Sequence, residues 1–176
     1  MKTTMYLLRH AAAEANYACA QSGDALPILG ARLPGGEQDP RLSRLGVRQA
    51  EATREFLAVR PIDYCYCSPR LRAVQTASII GAPHGLFPVV LDSLVEPERA
   101  TAALEELFRR HAGHALLVVG HQDVNLGYLA GLLGMDPEQA RQVQLDNCGI
   151  SLVVRTGTDT TVSTLNASFH LQGIAA

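Results

Sequence analysis

The 176-residue sequence has no apolar run long enough to cross a bilayer, no internal repeat and no low-complexity tract. It also has little net charge: 15 Lys and Arg stand against 17 Asp and Glu, a formal balance of -2. No global field therefore draws it to nucleic acid or to an anionic membrane, and an anionic ligand must be held by cations placed locally. Its 4 cysteines, Cys19, Cys65, Cys67 and Cys148, are too few and too scattered for a disulfide framework. Cys65 and Cys67 lie two apart in a strand-like run, so both face one side as buried thiols, and a Cys-x-Cys metal site would need a second pair. A secretory leader is not legible either. The apolar stretch from Met5 stops at Leu8, before Arg9-His10, and a cytoplasmic location is the expectation.

What is present reads as a folded enzyme-sized unit. Hydrophobic residues make up 47% of the chain and charged ones 18%, which excludes disorder. A chain of this length forms one domain, residues 1–176, burying roughly two-thirds of its unfolded surface. Strands are expected at residues 4–9, 62–67, 86–91, 115–120, 150–155 and 160–165, the last two joined by a Thr-Gly-Thr-Asp turn and paired antiparallel. Helices alternate with them. Ser43 suits the N-cap of the first, which places Leu45, Ala52 and Phe56 on one face. Ser68 and Pro69 suit the N-cap and first position of the second, which runs to Ile80. Leu104, Leu107 and Phe108 mark the third at core spacing, and residues 124–133 form a helix apolar on most sides. A short helix follows Pro137. The alternation predicts a three-layer α/β sandwich: a mostly parallel central sheet flanked by helices, with antiparallel pairing near the C-terminus. Residues 11–40, rich in Gly and Pro, read as a long loop that covers the functional site.

In such sheets, ligands bind beyond the carboxyl ends of the strands. Leu7-Leu8-Arg9-His10 and Val118-Val119-Gly120-His121 are buried strands that each end on a histidine, and Ser68, Arg70 and Arg72 follow a third. Phosphoryl transfer needs an in-line nucleophile, cations for the equatorial oxygens and a proton for the leaving oxygen. Neutral imidazole supplies the first and the planar arginine fork the second. Helix N-termini after Ser68 and His121 add free N–H groups.

Taken in order, Leu8-Arg9-His10, Cys67-Ser68-Pro69-Arg70-Leu71-Arg72-Ala73-Val74-Gln75-Thr76-Ala77 and Val119-Gly120-His121 resemble the three signature segments of the histidine phosphatase superfamily. Residues 39–50, Asn147-Cys148, Leu165-Asn166 and His170-Leu171 resemble its first helix and closing strands. The resemblance implies a metal-independent phosphomonoester hydrolase without cofactor, acting through a phosphohistidine on His10, with a small phosphorylated metabolite as its partner. By position, Arg9, Arg72 and Asn16 would bind the phosphate, with the Gln122 backbone as a further donor. His121 would stabilise the transition state. Glu96, in Leu94-Val95-Glu96, would be the general acid, with Glu98 and Asp92 as substitutes. Two departures stand out. Ala11-Ala12-Ala13 replaces the family's Gly-Glu-Thr, and the interval from Glu96 to His121 is short, as in the small protein phosphohistidine phosphatases. That activity is the alternative enzyme reading. A non-catalytic phosphate-binding or regulatory domain is the alternative of another class, and a metal site from His10, Glu14 and His121 is a third.

Blander roles are expected for the remaining polar residues. Arg70 is either a solvated arginine or a rim contact, and Asn16 could equally serve a turn. His84, His111 and His114 are expected at the surface, and His170 in a structural hydrogen bond.

Overall fold

The computed structural model describes residues 1–14 and 39–174. Asn16, Cys19 and most of the expected 11–40 loop lie outside the described residues. The chain runs β1 (Lys2–Arg9), α1 (Arg44–Leu57), β2 (Tyr64–Cys67), α2 (Leu71–Gly81), β3 (Val89–Val90), α3 (Pro97–Arg110), β4 (Ala115–Gly120), α4 (Gln122–Leu133), α5 (Pro137–Arg141), β5 (Ile150–Thr156) and β6 (Asp159–Ala167). One six-stranded sheet has the order β3-β2-β4-β1-β5-β6. Its first four members are parallel; β5 runs antiparallel to both β1 and β6. The expected sandwich is the observed architecture.

Side-chain alternation divides the core. Met5, Leu7, Tyr66, Leu116 and Val118 face Leu104, Leu107 and Phe108 of α3 and Val124, Tyr128 and Leu129 of α4. Leu8, Cys65, Cys67, Leu117 and Val119 face Leu57 of α1 and Ala73, Ala77 and Ile80 of α2. Every residue of β4 is buried, as a continuous apolar run between two helical layers requires. Cys65 and Cys67 are free and buried on one face, as their spacing implies.

Several local expectations are corrected. The third strand shrinks from residues 86–91 to two, because Pro88 has no N–H to offer the ladder and Phe87 is left exposed. The second strand begins at Tyr64 because Asp63 turns its side chain onto the start of β4, accepting the Ala115 N–H at 2.8 Å. In α1 the buried stripe is Gly46, Ala50, Thr53 and Leu57, not Leu45, Ala52 and Phe56, which are half-buried on its flank. Small and polar residues win there because the helix lies against backbone: a Cβ on Gly46 would sit 1.9 Å from the Ala12 carbonyl oxygen. Thr53 meanwhile donates to the Gln49 carbonyl and meets His170 Nε2 at 3.0 Å, the structural bond expected of His170.

Ser43 does cap α1, accepting the Gly46 N–H. Ser68 does not cap α2. That helix starts at Leu71, with Arg70 in the cap position and the Ser68 hydroxyl committed elsewhere. In α4 one side is open, with Gly127, Gly131 and Leu133 exposed. His111 is buried rather than exposed, since its Nε2 meets the Tyr66 hydroxyl at 2.7 Å and its ring lies on Tyr64. His84 is half-buried, and His114 is exposed as expected. Among the described residues no helix is long and apolar enough to cross a membrane.

The contact at Gly46 yields a stability prediction. Alanine normally raises helix stability over glycine, but Gly46→Ala is expected to destabilise the protein by about 1–3 kcal/mol through forced displacement of the Ala12 backbone. Urea denaturation of the two proteins measures the difference, and a more stable variant would contradict the close approach.

Candidate active site

Register brings the site together. Arg9 and Gly120 are Cα partners across β1 and β4, and Cys67 of β2 pairs with Val119. The next residues continue the pattern: His10 N–H donates to the Gly120 carbonyl and Ser68 N–H to the Val119 carbonyl, both at 3.0 Å. His10, His121 and Ser68 therefore leave the sheet at one level, at the carboxyl ends of three parallel strands. The His10 and His121 rings meet edge to face with centroids 5.1 Å apart.

His10 is held from both sides. Asn147 Nδ2 donates to its carbonyl at 2.8 Å, and the Cys148 N–H donates to the Arg9 carbonyl at 3.0 Å. Its Nδ1 lies 2.8 Å from the Ala11 carbonyl oxygen. A carbonyl only accepts, so Nδ1 carries the proton and Nε2 keeps its lone pair. That lone pair faces Arg72, whose Nε–H donates to it at 3.0 Å. Burial first, then the charges of Arg72 and Arg9, push the His10 pKa down to about 4, against the opposing Ala11 hydrogen bond and Asp39 charge. The imidazole is neutral at pH 7.

His121 Nε2 lies 2.7 Å from Ser68 Oγ. Ser68 Oγ accepts the Arg70 N–H at 3.3 Å and can donate its own proton to Nε2. In that tautomer His121 Nδ1 carries hydrogen, and Nδ1 is buried without a protein partner. Burial, followed by His10, Arg72, Arg70 and Arg9, pushes the His121 pKa down to about 3. Arg70 is half-buried and its charge reaches His121, so it is not the fully solvated arginine of the blander reading.

Arg9 donates through Nη1 to the Leu145 carbonyl at 2.6 Å, while its Nε is buried without a protein partner. Gln122, the first residue of α4, spends its side chain on the same segment: Oε1 accepts the Leu145 N–H and Nε2 donates to the Val143 carbonyl. Only its backbone N–H, at the helix start, faces the role expected of it. The Ala11–Ala13 stretch lacks polar side chains but is tightly tied. The Ala11 N–H donates to Thr76 Oγ1, the Ala12 N–H donates to Gln49 Oε1, and Ser43 N–H and Oγ both donate to the Ala12 carbonyl.

Glu96 stands apart. It is exposed at the start of α3, and its carboxylate lies 3.5 Å from Arg99 Nη1 rather than against either histidine. Asp92 and Glu98 are exposed as well. Glu14 pairs with Arg41 at 2.9 Å, and among the described residues no group of three or more His, Cys, Asp or Glu gathers as a metal site. A residue not read as functional does enter the site: Asp39, whose side chain is 3% exposed, pairs with Arg72 Nη1 at 3.3 Å. Its only sequence signal was its place at the head of the 39–50 segment.

Residues 5–98 and 97–168 match the model of the histidine phosphatase superfamily, branch 1. The chain belongs to that superfamily. Membership makes it an enzyme of the phosphatase class. By sequence it matches no curated protein. Among solved structures this histidine phosphatase is similar to a phosphoserine phosphatase mutant from Entamoeba histolytica in complex with phosphoserine, at 18% identity and TM-score 0.75, covering 96% of this chain and 99% of that one. It is also similar to YhfR from Bacillus stearothermophilus, at 18% identity and TM-score 0.78, covering 97% and 100%. A mycobacterial glucosyl-3-phosphoglycerate phosphatase gives 19% identity and TM-score 0.74, covering 96% and 100%. At these identities the likeness is one of fold.

The buried histidines make stability depend on pH. Their folded-state values of about 4 and about 3 lie below the ~6.5 of an unfolded histidine. Above pH 7 neither state is protonated and nothing is lost. Below about 6.5 the unfolded chain takes up protons that the buried rings refuse, so stability falls as pH drops toward 4 and 3. Thermal melts from pH 8 to pH 4 should show this decline, and a His10→Gln, His121→Gln double variant should make it shallower, with His111 and His170, also lowered by burial, leaving a residual slope. Equal slopes in the two proteins would show that the rings are not buried neutral.

Proposed function

We propose that this histidine phosphatase hydrolyses small phosphomonoesters through a phosphohistidine on His10. The observation that carries the reading is the neutral His10 Nε2, its lone pair directed at the Arg72 guanidinium, with the His121 ring packed against the same imidazole. Arg9 Nε, a buried donor without a protein acceptor, supports an anion as the missing partner, since such a donor costs about 1–3 kcal/mol. His121 Nδ1 adds a second in the tautomer whose Nε2 accepts from Ser68. The Entamoeba and mycobacterial neighbours, named for phosphoserine and glucosyl-3-phosphoglycerate, support a small phosphorylated metabolite as the substrate class. Asn16 is proposed as a further phosphate ligand.

The reaction divides into two displacements. As substrate binds, the Arg72 Nε–H passes from the His10 Nε2 lone pair to a phosphoryl oxygen. The freed Nε2 attacks phosphorus, forming the N–P bond as the bond to the ester oxygen breaks, and the leaving oxygen takes a proton from Glu96. Arg9, Arg72, His121 and the Gln122 N–H share the charge on the phosphoryl oxygens. Water then attacks phosphorus, its proton goes to the Glu96 carboxylate, and the N–P bond breaks to release phosphate and neutral His10. For Glu96 to serve, the residues after β3 must swing it away from Arg99 toward the site.

The exposure of Glu96 favours one second reading, a protein phosphohistidine phosphatase. A phosphohistidine protonated on its far ring nitrogen departs as neutral imidazole and needs no acid at the P–N bond.

Mutation separates these roles. His10→Ala is expected to abolish hydrolysis of p-nitrophenyl phosphate and acid-labile ³²P labelling of the protein, with the melting temperature undiminished; normal turnover by the folded variant refutes the His10 mechanism, and a folded wild type without turnover favours a non-catalytic domain. Arg72→Lys should lower kcat by about 10²–10³-fold, because an ammonium cannot reproduce the fork. Glu96→Gln should slow alkyl phosphates by about 10²-fold or more, and aryl phosphates less, since their leaving groups need less proton help. Unchanged rates on alkyl esters would remove Glu96 from the mechanism and pass the acid role to Glu98 or Asp92.

A further inference from the structure

The environment of Asp39 reaches beyond helix capping. Its side chain is almost wholly buried, yet it lies beside a site lined by Arg9, Arg70 and Arg72. Both oxygens are engaged, and with consecutive residues. Oδ2 accepts the Leu71 N–H, the first of α2, and Oδ1 meets Arg72 Nη1 at 3.3 Å. Arg72 then spends its Nε–H on His10 Nε2 at 3.0 Å. One carboxylate thus fixes the start of the helix and, through its neighbour's side chain, the donor that faces the nucleophile.

We propose that Asp39 is a positioning residue of the phosphoryl site, holding the Arg72 guanidinium by one end so that its Nε edge faces His10 and the reacting phosphoryl group. The inference rests on the phosphohistidine reading above. Capping alone would need only a neutral acceptor, which Ser or Asn supplies as well as Asp. A buried negative charge next to an anion site repels the ligand, so the charge of Asp39 works against ground-state phosphate binding. What the charge supplies is a charge-assisted bond to Arg72. A free arginine side chain samples many rotamers, and a misplacement of about 1 Å in a positioning group costs about 10²-fold in rate. Asp39 exchanges phosphate affinity for alignment.

The test is Asp39→Asn in the full chain, which keeps an acceptor for the Leu71 N–H and removes the charge. On p-nitrophenyl phosphate, kcat is expected to fall about 10–100-fold, while the inhibition constant of inorganic phosphate stays level or tightens. The acid limb of kcat/KM should move to lower pH, because Asp39 is the negative charge that props up the His10 pKa against Arg72 and Arg9. In an Arg72→Lys background the same substitution should cost little more, since the residue acts through Arg72. Asp39→Ser, with a smaller acceptor, is the second variant. A folded variant with wild-type kcat and an unmoved acid limb overturns the role of Asp39 alone, given an active, His10-dependent wild type. Unfolding of both variants assigns Asp39 to the scaffold and overturns it too. A wild-type protein without His10-dependent turnover overturns the phosphohistidine reading and, with it, this role.

Discussion

The cross-strand partnership of Arg9 with Gly120 sets the geometry on which the rest of the site depends. Parallel strands with that register deliver their next residues, His10 and His121, side by side, and the His10 N–H closes the ladder onto the Gly120 carbonyl. A slip of one residue would send each side chain to the opposite face. The slip is resisted because both faces of these strands are buried: Leu7 and Val118 pack under α3 and α4, Leu8 and Val119 under α1 and α2. Glycine at 120 fits the same design, since a Cβ there would come within 2.3 Å of Asn125 Oδ1 on α4. The core thus serves as the ruler that spaces the two imidazoles.

Electrostatically, the pocket gathers cations and keeps both imidazoles uncharged. Arg9, Arg70 and Arg72 surround the two rings, and burial together with these charges holds both in the neutral form. A neutral ring can attack phosphorus, while the arginines carry positive charge at any working pH. Asp39 is the opposing charge within the cluster. A protein of net charge -2 thus gathers a local cluster of positive charge. The alanines at 11–13 take no side-chain part in it; their backbone hydrogen bonds to α1 and α2 residues fix the carbonyl that orients His10.

The strands that carry His10 and His121 were legible in the sequence because burial on both faces leaves an unbroken apolar run with a sudden polar end. The sandwich and the antiparallel closure followed from the alternation of elements. Less was legible where close packing uses small or polar residues. Gly46 and Thr53 carry no hydrophobic signal, so the buried face of α1 was misassigned. Pro88 truncated an edge strand that composition favoured. The Ser68 hydroxyl looked like a cap but serves His121, a long-range partnership that local spacing cannot encode. Asp39 and His111 escaped for the same reason: their partners, Arg72 and Tyr66, are distant in sequence. The resemblance to the family placed His10, His121, Arg9 and Arg72, which the structure gathers, and Glu96, which it leaves at the surface.

The position of β1 in the sheet has a consequence for how the protein is made. This strand, residues 2–9, lies between β4 and β5, whose residues begin at 115 and 150. It leaves the ribosome before either partner exists, and its apolar residues have no sheet to join until most of the chain has been synthesised. Pairings of such wide sequence separation close late and slowly. The segment that leads into His10 is therefore the one left longest without its native neighbours, and is open to chaperones or to aggregation during synthesis.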